Sequence, residues 1–116
     1  MTVSFEDLDV WKRSCRLCVK LYEVLRDCRD WGIKDQMLRA SVSIPSNIAE
    51  GSERKSVNDF KRFINIALES AAELRTQIYI SGQVGILSQG DADGLIEELK
   101  SISRMLQALH NSLDNR

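Results

Sequence analysis

Between Val57 and Ile78 the chain returns to an apolar residue at alternating steps of three and four: Val57, Phe60, Ile64, Ala67, Ala71, Leu74 and Ile78. Such spacing puts all seven on one stripe of an α-helix, whereas a strand shows the same face at every second residue. Ser56 and Asp59 supply a capping box at the start of this helix, and Ser81-Gly82 should close it.

The period recurs along the rest of the chain. Ser88 and Asp91 precede the seam Ala92, Leu95, Leu99, Ile102, Leu106, Leu109 and Leu113. Near the N-terminus, Leu8, Trp11, Cys15, Cys18, Tyr22 and Leu25 form a similar a/d row, with Ser4 and Asp7 ahead of it and an end expected near Cys28 to Asp30. Between these, a helix opening at about Ile33 places Ile33, Met37, Ala40, Ile44 and Ile48 on one face, with Gly51 as its C-cap. Pro45 should kink that helix, because proline lacks the N–H that would bond the carbonyl of Ser41. The chain has one proline and six glycines, no strand pattern and no low-complexity linker. The reading is all-α: an antiparallel up-down four-helix bundle, one domain over residues 1–116, its second helix kinked at Pro45.

Charge and composition exclude several classes of function. Sixteen Lys and Arg against seventeen Asp and Glu give a formal charge of −1, so bulk positive charge cannot drive nucleic-acid binding, although a local basic patch can. No apolar run approaches the roughly 20 residues that span a bilayer, so no membrane association is expected. The acidic N-terminus is unlike a signal peptide, and three cysteines cannot all pair within one chain. A cytoplasmic location follows as the expectation.

Cys15 and Cys18 form a CxxC, but both fall on the expected core seam, and Cys28 lies about 15 Å farther along a helix. Core packing is the reading. The single histidine, His110, sits near a helix C-terminus, where a cation favours the dipole. Asp91, Asp93, Glu97 and Glu98 suit a solvated first turn, and the Glu-x-x-His pair of bundle di-iron sites occurs nowhere. No nucleophile motif or phosphate loop appears. No enzyme activity, metal or cofactor is expected.

Apolar residues also lie off the seams: Val10, Leu17, Leu21 and Val24 on the first helix, Phe63 and Ile66 on the third, Ile96 and Met105 on the fourth. They either widen the stripes that fill the core or cover a neighbouring subunit. The second reading is favoured, and it makes Val10, Leu17, Leu21, Val24, Phe63 and Ile66 an oligomer interface.

The stretch Trp31 to Gly51, WGIKDQMLRASVSIPSNIAEG, resembles the four-helix bundle proteins encoded in intervening sequences of bacterial 23S ribosomal RNA genes. Gln36 and the run from Ser43 to Gly51 carry the most specific part of the likeness. Phe5, Leu8, Val10 and Trp11 resemble the family's opening, and Arg54, Ser56, Phe60, Arg62, Phe63, Ala67, Ser70, Glu73, Leu74 and Gln77 its third helix. One departure stands at Glu69 to Ala71, where the family often has a glycine before the serine. The resemblance implies a homo-oligomer, a pentameric ring. It also implies kinship with accessory proteins that bind nucleic acid and the reverse transcriptase of diversity-generating retroelements.

Pro45, Asn47, Glu50, Gly51, Ser70 and Glu73 form the expected structural motif. Asn47 and Glu50 should join Ser70, Glu73 or Gln77 in a polar network around the break at Pro45, with a ligand-binding notch there as the alternative. Arg39, Arg54, Lys55, Lys61 and Arg62 are the candidate contacts to nucleic acid, since a ring repeats a modest patch once per subunit. Glu53, Asp59 and Glu69 interleave with them, and no aromatic residues are placed to stack bases, so contact would be to backbone or shape. The expected function is an oligomeric bundle binding structured RNA or DNA, or a ribonucleoprotein such as a reverse transcriptase. The rival is a protein-interaction scaffold that binds no nucleic acid.

Overall fold

The computed structural model describes residues 4–115. Its four helices are α1 (Asp9–Val24), α2 (Trp31–Ser52), α3 (Val57–Gln83) and α4 (Gln89–Ser112), with short 3-10 turns at Phe5–Asp7 and Leu113–Asn115. No strand occurs among the described residues. Each helix packs on the next, and α4 closes back on α1. The molecule measures 46 × 20 × 19 Å. At about 1.5 Å per residue α3 alone nearly fills the long axis, so the short turns must reverse the chain. The four-helix bundle read from the sequence is the fold. No helix among the described residues is long and apolar enough to cross a membrane.

Two of the expected caps form as read. Ser56 Oγ accepts from the Asp59 N–H at 3.0 Å, and Ser88 Oγ from the Asp91 N–H at 3.1 Å. Ser4 caps the opening 3-10 turn instead of α1, accepting from the Glu6 N–H at 3.2 Å. Ser81 and Gly82 stay inside α3 rather than ending it. The turn comes at Gly85, whose φ of +83° lets the N–H groups of Ile86 and Leu87 both donate to the Ser81 carbonyl.

The core seams of α2, α3 and α4 hold: Met37, Ala40, Ile44, Ile48, Ile64, Ala67, Ala71, Leu74, Ile78, Ala92, Leu95, Leu99, Ile102 and Leu106 are all buried. On α1 the face is rotated. Val10, Ser14, Leu17, Cys18 and Leu21 point inward, while Tyr22 is 53% exposed. Ser14 disguised that face. It is a polar residue in the apolar row, and its hydroxyl is satisfied within the helix by donating to the Val10 carbonyl at 2.7 Å. Trp11 packs edge-on against Phe5 near the start of the bundle, ring centroids 5.1 Å apart.

The expected oligomer interface is corrected accordingly. Val10, Leu17, Leu21 and Phe63 are buried within the single chain and leave no surface to offer a second copy. Val24 is partly buried against the same core, and Ile66 is half-buried. Ile96 is also buried, so wide stripes filling the core account for most of the off-seam positions.

α2 runs unbroken through Pro45. The Ser41 carbonyl, deprived of a helical donor, accepts instead from the Cys18 thiol at 2.9 Å. Gly51 lies inside α2 and is no C-cap, because the helix continues to Ser52. Its role is steric: a Cβ there would stand 2.6 Å from Phe63 Cβ, so α2 and α3 can approach at this level only with glycine.

Candidate nucleic-acid interface

Gly51 sets the geometry of the basic end of the molecule. By letting α3 press against α2, it seats Phe63 against α2, and the residue is only 6% exposed. Two guanidinium groups then cover its ring. Arg54, just past α2, and Arg62, in α3, place their Cζ atoms 5.0 Å and 4.7 Å from its centroid. A guanidinium lying on an aromatic face keeps its edge N–H groups free for planar oxyanions. Lys55 is exposed in the same turn and makes no ion pair among the described residues.

Acidic neighbours offset the other cations. Arg54 pairs with Glu50 at 3.3 Å and Arg62 with Asp59 at 3.8 Å, both on exposed side chains. Lys61 pairs with Asp114 of the C-terminal turn, and that bond holds the Asp114 carboxyl below its ordinary range. Exposed pairs of this kind are weak and screened by salt, so a phosphate can displace them. Arg39 does not belong to this cluster. It lies fifteen residues before Arg54, about 22 Å back along α2.

Arg39 lines a different feature, a cleft between α2 and α3 shared with Gln36, Ala40, Ser43, Ser70 and Glu73. The expected polar network forms here in part. Asn47 Nδ2 donates to the Ser43 carbonyl at 2.7 Å and to Ser43 Oγ at 2.9 Å, and Ser43 Oγ shares a hydrogen bond of 2.8 Å with Ser70 Oγ. Glu50 stays outside it, turned toward Arg54. Gln77 Nε2 donates to Gln36 Oε1 at 3.4 Å, a pairing the sequence reading did not anticipate.

A third surface is apolar. Val19 and Tyr22 of α1 and Val42 of α2 are 59%, 53% and 42% exposed, and a groove lined by Tyr22, Asp35, Leu38, Arg39, Val42 and Ser43 joins the two helices. Of these residues Tyr22 alone falls on the core seam expected from the sequence, and it is exposed instead. The CxxC sulfurs are thiols in a packing role: burial pushes both Cys15 and Cys18 above the ordinary value, with Arg16 partly opposing the shift at Cys15 and the Ser41 hydrogen bond partly opposing it at Cys18. Among the described residues no group of three or more His, Cys, Asp and Glu is placed to hold a metal ion.

The model of one protein family, described as 23S rRNA-intervening sequence protein, matches residues 6–108. A crystal structure of a protein of unknown function from the S23 ribosomal protein family of Bacteroides thetaiotaomicron is similar in fold, with a TM-score of 0.82 at 21% identity. The alignment covers 87% of this chain and 97% of that one. At that identity the likeness speaks for the fold. No curated protein matches the chain.

Proposed function

Because the chain belongs to the 23S rRNA-intervening sequence protein family, we propose that it is a non-enzymatic, self-associating bundle that binds structured RNA or DNA in the cytoplasm. The nucleic acid is met either alone or as part of a ribonucleoprotein such as a reverse transcriptase with its template. The observation that carries this reading is the convergence of Arg54 and Arg62 on the Phe63 ring, with Lys55 beside them. In a pentameric ring that cluster repeats around the symmetry axis and makes a belt of paired guanidiniums, suited to phosphate oxygens. The exposed Val19, Tyr22 and Val42 supply an apolar surface for ring contacts in place of the buried residues first expected.

The near-neutral charge and the pairing of Arg54, Lys61 and Arg62 with Glu50, Asp114 and Asp59 favour the second reading, a protein scaffold that binds no nucleic acid. Titration of structured RNA and duplex DNA across a salt series separates the two. The first reading expects saturable binding that falls with salt by about 0.9 log units per log unit for each phosphate neutralised on duplex DNA. It also expects Arg54→Glu and Arg62→Glu to weaken binding and flatten that slope. Absence of binding at low salt by the folded protein selects the scaffold. Binding that ignores both substitutions moves the interface elsewhere.

A further inference from the structure

The polar cleft between α2 and α3 is not used by the basic cluster and has features of a built site. Its volume is about 280 Å³, just under the range typical of drug-sized ligands and suited to a smaller metabolite. Five of its six lining residues are polar or charged. Its serine wall is held in place, Ser43 by Asn47 and Ser70 by Ser43.

Two further observations say what such an occupant carries. Arg39 and Glu73 line the same small cleft, yet they make no ion pair with each other or with any other group among the described residues. Opposite charges that border one space without pairing suit a molecule bearing both signs. The second observation is Gln77, one turn beyond Glu73 on α3 and only 7% exposed. Its Nε2 bonds Gln36 at the edge of the cleft, while its Oε1 is buried without a partner. Buried amide oxygens are rarely left so, but Gln77 does not itself line the cleft, and Gln36 is the amide that an occupant meets.

Free phosphate fits poorly, because the Glu73 carboxylate faces the same space. A pure hydrocarbon would leave the Arg39 and Glu73 charges without partners. We propose that this cleft binds a free α-amino acid. The Arg39 guanidinium takes its carboxylate, the Glu73 carboxylate takes its ammonium, and a polar side chain meets the Gln36 amide at the edge of the cleft. The serine-rich segment around Pro45 then acts as the wall of a small-molecule site, and the site is independent of nucleic-acid binding.

The test is calorimetric titration of the full chain with each of the common L-amino acids, alongside D-glucose and inorganic phosphate. The expected result is saturable binding of at least one amino acid with a polar side chain, and none of glucose or phosphate. Its N-acetyl derivative, which lacks the ammonium, should fail to bind. Arg39→Met and Glu73→Gln, both at exposed positions, should each weaken binding by about tenfold or more while leaving the melting temperature unchanged. Failure of every amino acid at millimolar concentration overturns the proposal. Equal affinity in the wild type and both variants, or phosphate or glucose binding as well as the amino acid, overturns it too.

Discussion

The Cys18 thiol donates to the Ser41 carbonyl, the group that Pro45 leaves without a partner four residues on. One side chain of α1 thereby completes the backbone bonding of α2, which gives Cys18 a structural role. Replacing Cys18 with Ala should cost about 1–2 kcal/mol, since a buried carbonyl is left bare. In a Pro45→Ala background the helix regains its own donor, and the same substitution should cost less by at least about 0.5 kcal/mol. Denaturant melts of the four proteins measure that coupling. Equal costs in both backgrounds would mean that the thiol contributes packing alone.

Gly51 and Gly94 should respond to alanine with opposite signs. Both are helical, and alanine is intrinsically better there by about 1 kcal/mol. At Gly94 nothing lies within 4 Å of the new Cβ, so the protein gains that stability. At Gly51 the Cβ meets Phe63 Cβ at 2.6 Å, and overpacking should leave a net loss of about 1–2 kcal/mol. Thermal melts of the two variants decide it. A stabilised Gly51→Ala protein would show that α2 and α3 can move apart freely.

Charge placed on the two sides of α1 should separate folding from assembly. Leu21 is fully buried, so Leu21→Lys should unfold the chain. Tyr22 and Val19 are exposed, and Tyr22→Lys with Val19→Lys should leave a folded helical protein of lower mass by light scattering. If the mass is unchanged, α1 plays no part in self-association.

The Lys61–Asp114 bond should be visible in acid. The bond to Lys61 lowers the Asp114 carboxyl below its ordinary 3.8, so the folded state favours the ionised form. The stability it contributes is present above that ordinary value and is lost as pH falls through the lower folded one. An NMR titration of the Asp114 carboxyl should give a midpoint under 3.8 that returns toward it in Lys61→Met. Identical midpoints would show the bond to be absent in solution.

Most of the architecture was readable because α2, α3 and α4 obey one rule without exception at their central seam positions, and Ser56 and Ser88 announce two of the starts. α1 misled because its true face includes Ser14, while Cys15 and Tyr22 imitate a core on the neighbouring stripe. The basic cluster was legible as a list of cations but not as an arrangement. Arg54 and Arg62 meet on Phe63 only because Gly51 lets two helices touch, and the sequence offers a simpler reason for that glycine as a cap. The partner of Lys61 lies 53 residues away and follows no helical spacing. Arg39 was grouped with the others by charge alone, which carries no information about height along a helix.

The order in which the helices touch has a bearing on how the chain reaches this state. Contacts of α1 with α2, α2 with α3 and α3 with α4 span short turns, so each helical hairpin can form with little loop-closure entropy. The seam between α4 and α1 is different. Its Arg13–Glu98 ion pair joins residues 85 apart, and it can form only after the intervening chain is nearly in place. Local hairpins favour rapid folding, with the first and last helices meeting late. The same seam, the last to close, is then the natural place for the bundle to open transiently.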